Sequence, residues 1–194
     1  WLDLGYHGWV APMSVGLLLC AFGGPDSLRL LTRYLLSYML LWIGMGTVLA
    51  WYLPAAGPCF YERFVGPSPE FAAMMQALRA DDARLALDGS GVGALRIMGH
   101  LDTSFGTHML TVGAGISAMP SVHNGLAVLF ALASWQVDRR LGAVMALYAF
   151  MIWVGSVYLG WHYAIDGIAA ALLTWMIWIF SGRMADRLAR RGAL

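Results

Sequence analysis

Residues 161–181 read WHYAIDGIAAALLTWMIWIFS, an apolar run in which Asp166 is the one formally charged side chain. A transmembrane helix needs roughly 20 predominantly apolar residues to cross the hydrocarbon core of a bilayer. The run meets that length, so it predicts a membrane-spanning helix with His162 and Asp166 at one mouth. Ionisable residues in such segments are usually functional.

The composition of the whole chain gives the same indication. Hydrophobic residues make up 60% and charged residues 12% of the 194 residues, nine residues are Trp, and the mean hydropathy is +0.66. These values exclude an ordinary soluble domain. We therefore predict an all-α, polytopic membrane helical bundle that forms a single membrane domain over residues 1–194. Its visible spans are Trp9–Phe22, Tyr34–Leu53, Pro120–Val137, Leu141–Gly160 and Trp161–Ser181.

The distribution of arginine predicts how these spans are oriented. If the chain alternates across the membrane, eight Arg and three acidic residues fall on one face, whereas residues 55–119 hold four Arg and six acidic residues. Positively charged residues remain on the cytoplasmic side. His123, His162 and Asp166 are then expected together on the outer side. The chain has no Lys, and its Arg clusters are typical anchors to anionic headgroups, so we predict no nucleic-acid partner.

Residues 55–119 are too long for a simple connector and are predicted to form an outer loop with interfacial helices. Ser68 and Pro69 are a typical helix start, and the run to Leu87 has the spacing of an amphipathic helix lying on the membrane surface. The alternatives are a covering element that shapes lipid access and a simple surface-packed helix. His100 and His108, in the return to the membrane, are interpreted as solvated interfacial side chains.

Two short stretches carry the residue types that phosphoryl transfer needs. Pro120 suits the first position of a helix, Ser121 either binds the substrate phosphate through its hydroxyl or is only a helix cap, and His123 follows within the same turn, whose free N–H groups attract an anion. His162 and Asp166 are four residues apart on one helix face, where the carboxylate can accept the imidazole N–H. This pair would leave the other ring nitrogen free as a nucleophile, while a second imidazole protonates the leaving oxygen. The chemistry requires no metal and no cofactor.

These stretches resemble a known family. Residues 120–123 (PSVH) and 158–166 (YLGWHYAID) are similar to the second and third signature motifs of the type 2 phosphatidic acid phosphatase superfamily. The spacing of Ser156, Tyr158, Leu159, His162, Tyr163 and Asp166, and the turn at 54–61, are closest to the branch that contains inositol phosphorylceramide synthase. The resemblance implies a bundle of about six transmembrane helices, with His162 as the nucleophile that forms a phosphohistidine, Asp166 orienting it and His123 protonating the leaving group.

The chain also departs from the phosphatase motifs. The third motif of those members begins with Ser-Arg, and the corresponding positions here are Gly155 and Ser156. A phosphodiester carries one negative charge where a monoester carries nearly two, so a shortage of cations favours a diester donor. Arg63 and Arg96, at the two ends of the outer loop, are the candidates for restoring phosphate-binding charge. If either arginine binds the substrate phosphate, the site can also neutralise a monoester, and a phosphatase is again an expected function.

The sequence therefore predicts an integral membrane phosphotransferase that moves a phosphate-bearing headgroup from a lipid to an alcohol acceptor, such as the polyol inositol. The alternative within the same fold is a phosphatase that transfers the phosphoryl group of a phosphatidate or polyprenyl phosphate to water. A more remote alternative is a non-enzymatic bundle for haem binding or transport. The site is expected on the periplasmic face of a bacterial inner membrane. Because the chain opens on Trp1 rather than Met, we also expect preceding sequence with a further helix.

Overall fold

The computed structural model describes residues 1–22, 24, 27–106 and 117–191, and these residues are mostly helical and contain no β-strand. His108 lies outside the described residues. The prediction of an all-α membrane bundle is confirmed. The helices are α1 Leu2–His7, α2 Val10–Phe22, α3 Leu28–Tyr52, α4 Tyr61–Phe64, α5 Pro69–Ala86, α6 Gly93–Gly106, α7 Val122–Val137, α8 Arg139–Tyr158 and α9 Ala164–Arg190.

Three described helices are long and apolar enough to cross a membrane, namely α3, α8 and α9. The predicted spans that start at Trp9 and Pro120 correspond to α2 and α7, which have 13 and 16 residues. Helix α7 is short because Asp138 ends it and starts α8, where the carboxylate accepts the N–H groups of Arg140 and Leu141 at 2.9 Å each. The result is a tight helical hairpin.

The bundle core is built where α3, α7 and α9 meet. Leu41 and Met45 of α3, Leu126 and Leu129 of α7, and Trp178 of α9 are buried together in one apolar cluster. Small residues allow close helix contact, as expected for membrane bundles. The outward-facing sides of α8 and α9 carry exposed large apolar side chains, which suits contact with lipid: Leu147, Phe150, Leu172 and Trp175.

Helix α3 contains an irregular middle. Residues Leu41–Leu49 are π-helical, between α-helical turns on either side. Such insertions are rare and frequently lie at functional sites. This one packs beside the start of α7, where a Cβ added to Gly46 would lie 3.2 Å from the Val122 side chain.

Two carboxylates hold the start of α6, one from α1 and one from α5. Asp3 of α1 accepts the N–H groups of Gly93 and Ala94 at 2.8 and 2.9 Å, so it caps α6 from a distant part of the chain. Asp82 of α5 accepts the N–H of Val92 at 2.7 Å. Helix α5 starts at Pro69 after Ser68, as predicted. Its buried Met75 and Leu78 join a second apolar cluster with Tyr6.

Candidate active site

His162 lies in the turn that connects α8 to α9. The turn closes because the backbone N–H groups of Trp161 and His162 both donate to the Ser156 carbonyl, at 3.0 and 3.1 Å. Gly160 has φ +77°, a left-handed conformation that glycine adopts without strain. Tyr163 then precedes the first residue of α9, and its N–H donates to Asp166 Oδ2 at 2.8 Å. The His162 ring is therefore presented by a rigid helix connection.

The two ring nitrogens of His162 have different partners. Nδ1 lies 2.7 Å from the carbonyl oxygen of Ala118, and Nε2 lies 3.0 Å from the Ser121 hydroxyl. Because a carbonyl only accepts, Nδ1 carries a proton, and in the neutral ring Nε2 is then the unprotonated nitrogen that accepts the Ser121 O–H. The carbonyl is itself held in place, since the Ala118 N–H donates to Ala55 O at 2.7 Å.

Asp166 is buried beside His162, with Oδ2 at 3.7 Å from Nδ1. This separation is too long for a hydrogen bond. The contact that orients the ring, which the sequence assigned to Asp166, is made by the Ala118 carbonyl instead. Asp166 caps α9 and places a negative charge within ion-pair distance of the ring. Its position suits stabilisation of an imidazolium more than control of the tautomer.

Ser121 is the N-cap of α7, and its Oγ accepts the backbone N–H of Asn124 at 3.3 Å. The residue thus serves as the helix cap, one of the two roles considered for it from the sequence, and its hydroxyl also contacts His162, a partner that the sequence did not predict. Pro120 precedes the helix rather than starting it. The remaining first-turn N–H groups of α7 have no intrahelical acceptor and point toward the same end of the bundle.

Asn124 and Ser156 belong to the same polar cluster, although sequence reasoning missed the former. The Asn124 side-chain amide donates to Ser121 Oγ at 2.9 Å and to Ser156 Oγ at 3.2 Å. The amide orientation is fixed, because Ser121 already donates to His162 and Ser156 donates to Trp153 O at 2.7 Å. A signal was available in the three-residue spacing from Ser121, which places Asn124 one helical turn above the cap.

A cluster of neutral side chains occupies the position where the phosphatase motif has an arginine. Ser156 stands where the phosphatase motif has Arg, and it is fully buried against Asn124. The connected side chains of Ser121, Asn124 and Ser156 are all neutral. Asn124 Oδ1 is buried without a hydrogen-bond partner in the described part of the chain.

His123 occupies an aromatic pocket next to the cluster. Its ring stacks on Tyr6 at 5.1 Å between centroids and meets Trp9 edge-on at 5.1 Å. His123 is two residues from Ser121, whose hydroxyl contacts His162, so both rings lie at the same end of the bundle. Neither ring nitrogen of His123 hydrogen-bonds to any residue of the described ranges.

The two predicted loop cations have other partners. Arg63 forms an ion pair with Asp102, and its guanidinium lies 5.1 Å from the centre of the Phe105 ring. Arg96 is exposed on α6, close to Gly91. Neither forms a hydrogen bond or an ion pair with the His162 cluster as described. The structure thus brings together Ser121, His123, His162 and Asp166, and it leaves Arg63 and Arg96 on the outer segment.

The outer segment forms a wall of the site through its first residues. Gly57 packs so closely on the His162 turn that an added Cβ would lie 2.1 Å from the Trp161 carbonyl oxygen. The Cys59 N–H donates to Gly160 O at 2.9 Å, and the Tyr163 hydroxyl donates to Ala56 O at 3.1 Å. Burial within this wall raises the pKa of the Cys59 thiol to about 12, so it remains protonated at physiological pH.

Comparison with known proteins identifies the family. The sequence profile of the PAP2 superfamily matches residues 2–180. The chain belongs to the PAP2 superfamily. The resemblance predicted from the two motifs is therefore confirmed.

Two curated relatives place this PAP2 protein nearer to one branch. The chain is 27% identical over 186 residues to "Inositol phosphorylceramide synthase" of Candida albicans, a match that covers 93% of the chain and 35% of the relative. It is 28% identical over 191 residues to "Inositol phosphorylceramide synthase catalytic subunit aur1" of Schizosaccharomyces pombe, covering 95% of the chain and 40% of the relative. The chain thus spans well under half the length of either relative. No solved structure matches it significantly. Family and relatives support the predicted class of lipid phosphotransferase or phosphatase.

Proposed function

We propose that this chain is a membrane phosphotransferase that moves a phosphate-bearing headgroup from a lipid donor to an alcohol acceptor through a phosphohistidine on His162. The observation that carries the proposal is the state of the His162 ring. Its Nδ1 is held by the Ala118 carbonyl, and its unprotonated Nε2 faces the Ser121 hydroxyl at the start of α7. An imidazole in this tautomer is ready to attack phosphorus.

In the first step, Nε2 of His162 forms a bond to phosphorus as the bond to the lipid alcohol breaks. His123 acts as the general acid: it takes up a proton as the anionic substrate binds, and it gives that proton to the leaving oxygen. The phosphorylated His162 ring is cationic, and the Asp166 carboxylate at 3.7 Å stabilises that charge. Ser121 turns its O–H from Nε2 to a phosphate oxygen, while free N–H groups at the start of α7 donate to the other charged phosphate oxygen.

In the second step, the acceptor alcohol gives its proton to His123 and its oxygen attacks phosphorus. The bond from phosphorus to Nε2 breaks, and His162 returns to its neutral form with the proton still on Nδ1. His123 is again protonated, so the two histidines complete a cycle without net gain or loss of protons. With water as acceptor, the same steps describe the phosphatase.

The charge of the site favours a diester donor over a monoester. No described arginine belongs to the cluster around His162, Asp166 is its one carboxylate, Arg63 is already paired with Asp102, and Ser156 stands in place of an arginine. A monoester would bring nearly two negative charges into this setting, whereas a diester brings one. The names of the two relatives, both inositol phosphorylceramide synthases, support an inositol-containing substrate and a sphingolipid product.

The site opens on the non-cytoplasmic face in this proposal, because the eight arginines assigned to the cytoplasmic face lie toward the opposite end of the bundle. For a bacterial host that face is periplasmic. The outer segment, residues 55–119, then acts as a cover beside the site. Its contacts through Tyr163 and through the Tyr158 hydroxyl on Asp81, at 2.8 Å, support this role.

The test uses purified protein in lipid with a phospholipid donor whose phosphate is radiolabelled. We expect label on the protein that is acid-labile and that is absent from His162→Gln. The matched control is His100→Gln, which removes an exposed histidine from α6 and should keep both the label and turnover. Turnover that survives in His162→Gln would reject the nucleophile assignment. Adding ceramide or inositol separates the two activities, since phosphate release without either acceptor identifies a phosphatase.

A further inference from the structure

The bundle contains a cavity of about 490 Å³ at the end opposite the His162 site. It lies between the start of α3 and the end of α9 and is lined by Arg29, Arg33, Gln136, Arg183 and Asp186. At ~1.5 Å rise per residue, Asp166 and the lining residue Gly182 are separated by about 24 Å of helix. The cavity is therefore distinct from the candidate active site and belongs to the other membrane face.

The charges of this cavity are unbalanced. Three arginines line it, and Asp186 is the one acidic residue among its described lining residues. Asp186 forms an ion pair with Arg29. The guanidinium groups of Arg33 and Arg183 have no carboxylate partner in the described structure, so the cavity presents about two uncompensated positive charges.

Arg33 is fixed in place before any ligand arrives. Its guanidinium stacks 3.8 Å from the centre of the Trp178 ring, and its Nε donates to the Trp178 carbonyl at 3.0 Å. It also lies against Gly182, where an added Cβ would be 2.8 Å from Nε. The terminal nitrogens of Arg33 form no hydrogen bond to described residues. A stacked guanidinium with free terminal N–H groups is a preorganised fork for a phosphate or carboxylate oxygen pair.

The surroundings indicate a phosphate attached to a lipid. Leu30 and Ile179 supply an apolar side to the cavity, and Gln136 adds a neutral donor. The volume falls within the range of small-ligand sites, about 300–1,000 Å³, and exceeds the needs of a single inorganic ion. Basic pockets between transmembrane helices suit the headgroups of anionic lipids, which are enriched in the cytoplasmic leaflet.

We propose that the cavity between α3 and α9 binds the phosphate group of an anionic phospholipid on the membrane face opposite the active site. The binding is separate from the reaction at His162 and does not depend on the proposed function. The recognised chemistry is a phosphate ester held by Arg33 and Arg183, and its source is either a membrane lipid or a soluble phosphate ester.

The experiment measures phospholipid retained by the purified full chain after exchange into nanodiscs of phosphatidylcholine doped with phosphatidic acid, by native mass spectrometry. We expect wild type to retain phosphatidic acid and Arg33→Gln/Arg183→Gln to lose about tenfold in apparent affinity. The matched control is Arg190→Gln/Arg191→Gln, which removes the same charge from the same face outside the cavity and should retain the lipid. Glycerol 3-phosphate added in detergent distinguishes the sources, because stabilisation of wild type by it identifies a soluble ester as a ligand.

A second variant keeps the test valid if the double substitution disturbs folding. Ile179→Trp leaves every charge in place and fills the cavity from its apolar side, so it should also lose the retained lipid. Equal retention by wild type and both cavity variants would overturn the proposal. Equal loss in the Arg190 and Arg191 control would overturn it as well, because diffuse attraction to the arginine-rich face would then explain the binding.

Discussion

Replacing Asn124 with Leu should separate activity from stability. Asn124 donates to Ser121 at 2.9 Å and to Ser156 at 3.2 Å, while its own Oδ1 is buried without a partner in the described chain. Leucine has nearly the same size and removes both hydrogen bonds together with the unsatisfied oxygen. The variant therefore tests whether the amide is present for the fold or for the placement of Ser121.

The contributions of these changes to the free energy of unfolding largely cancel. Two hydrogen bonds contribute about 1 kcal/mol each, whereas an unsatisfied buried acceptor costs about 1–3 kcal/mol. The free energy of unfolding of Asn124→Leu should therefore stay within about 1 kcal/mol of wild type. Activity should respond differently, because Ser121 keeps the backbone N–H of residue 124 but loses its stronger side-chain anchor. A displacement of about 1 Å in a reacting group can lower the rate about a hundredfold.

The assay compares kcat for headgroup transfer with the thermal midpoint of unfolding in the same lipid. We expect kcat of Asn124→Leu to fall about tenfold to a hundredfold with little change in the midpoint. Ser156→Ala is the graded comparison, since it removes the longer of the two bonds and leaves Asn124 on Ser121. Wild-type kcat in Asn124→Leu, or a loss of activity that follows a matching loss of stability, would refute the reasoning.

Three further substitutions test other parts of the fold and site. Asp166→Asn keeps a side-chain oxygen to cap α9 but removes a negative charge that stabilises an imidazolium at this distance by about 4 kcal/mol. We therefore expect kcat to fall by two to three powers of ten while the melting temperature stays unchanged. Wild-type activity in this variant would exclude the electrostatic role. Asp3→Ala removes the cap of α6, and it should cost about 1–2 kcal/mol and raise amide hydrogen exchange in that helix; unchanged exchange would contradict the capping role. Gly57→Ala should lower activity, because the added Cβ would push the outer segment away from the Trp161 carbonyl. Gly99→Ala is the control: nothing lies within 4 Å of its added Cβ, so it should keep activity and stabilise α6 by up to about 1 kcal/mol. Higher activity in Gly57→Ala than in Gly99→Ala would argue against a wall at Gly57.

The sequence predicted those parts of the site that depend on side-chain type and local spacing. Ser121 lies at a helix start, and His162 and Asp166 lie four residues apart, so both motifs were readable without coordinates. The contact that fixes the His162 tautomer was not readable, because it comes from the carbonyl of Ala118 and every residue has a carbonyl. The cap that Asp3 provides to α6 was equally hidden, since it joins residues 90 positions apart in the chain.

The loop cations show a different limit of sequence reasoning. The distance along the chain allowed Arg63 to fold back toward the motifs, and nothing in the sequence ranked the site above Asp102 as its partner. Composition also could not predict that α3 turns π-helical beside α7, because the apolar residues of Leu41–Leu49 fit either helix type. Both outcomes depend on packing between segments that are distant in sequence.

The two ends of the bundle differ in the placement of their charged side chains. At the proposed reaction end, buried neutral donors and a helix start stand in place of the arginine of the phosphatase motif, and Arg63 of the outer segment is paired with Asp102. At the other end, Arg33 and Arg183 stand without partners among described residues around an open cavity. In our two proposals, a site without arginine favours a singly charged diester over dianionic phosphates, and Arg33 and Arg183 at the opposite face hold lipid phosphate without competing for substrate. Under these proposals, one small bundle discriminates between phosphates by charge because its two anion sites lie on opposite faces.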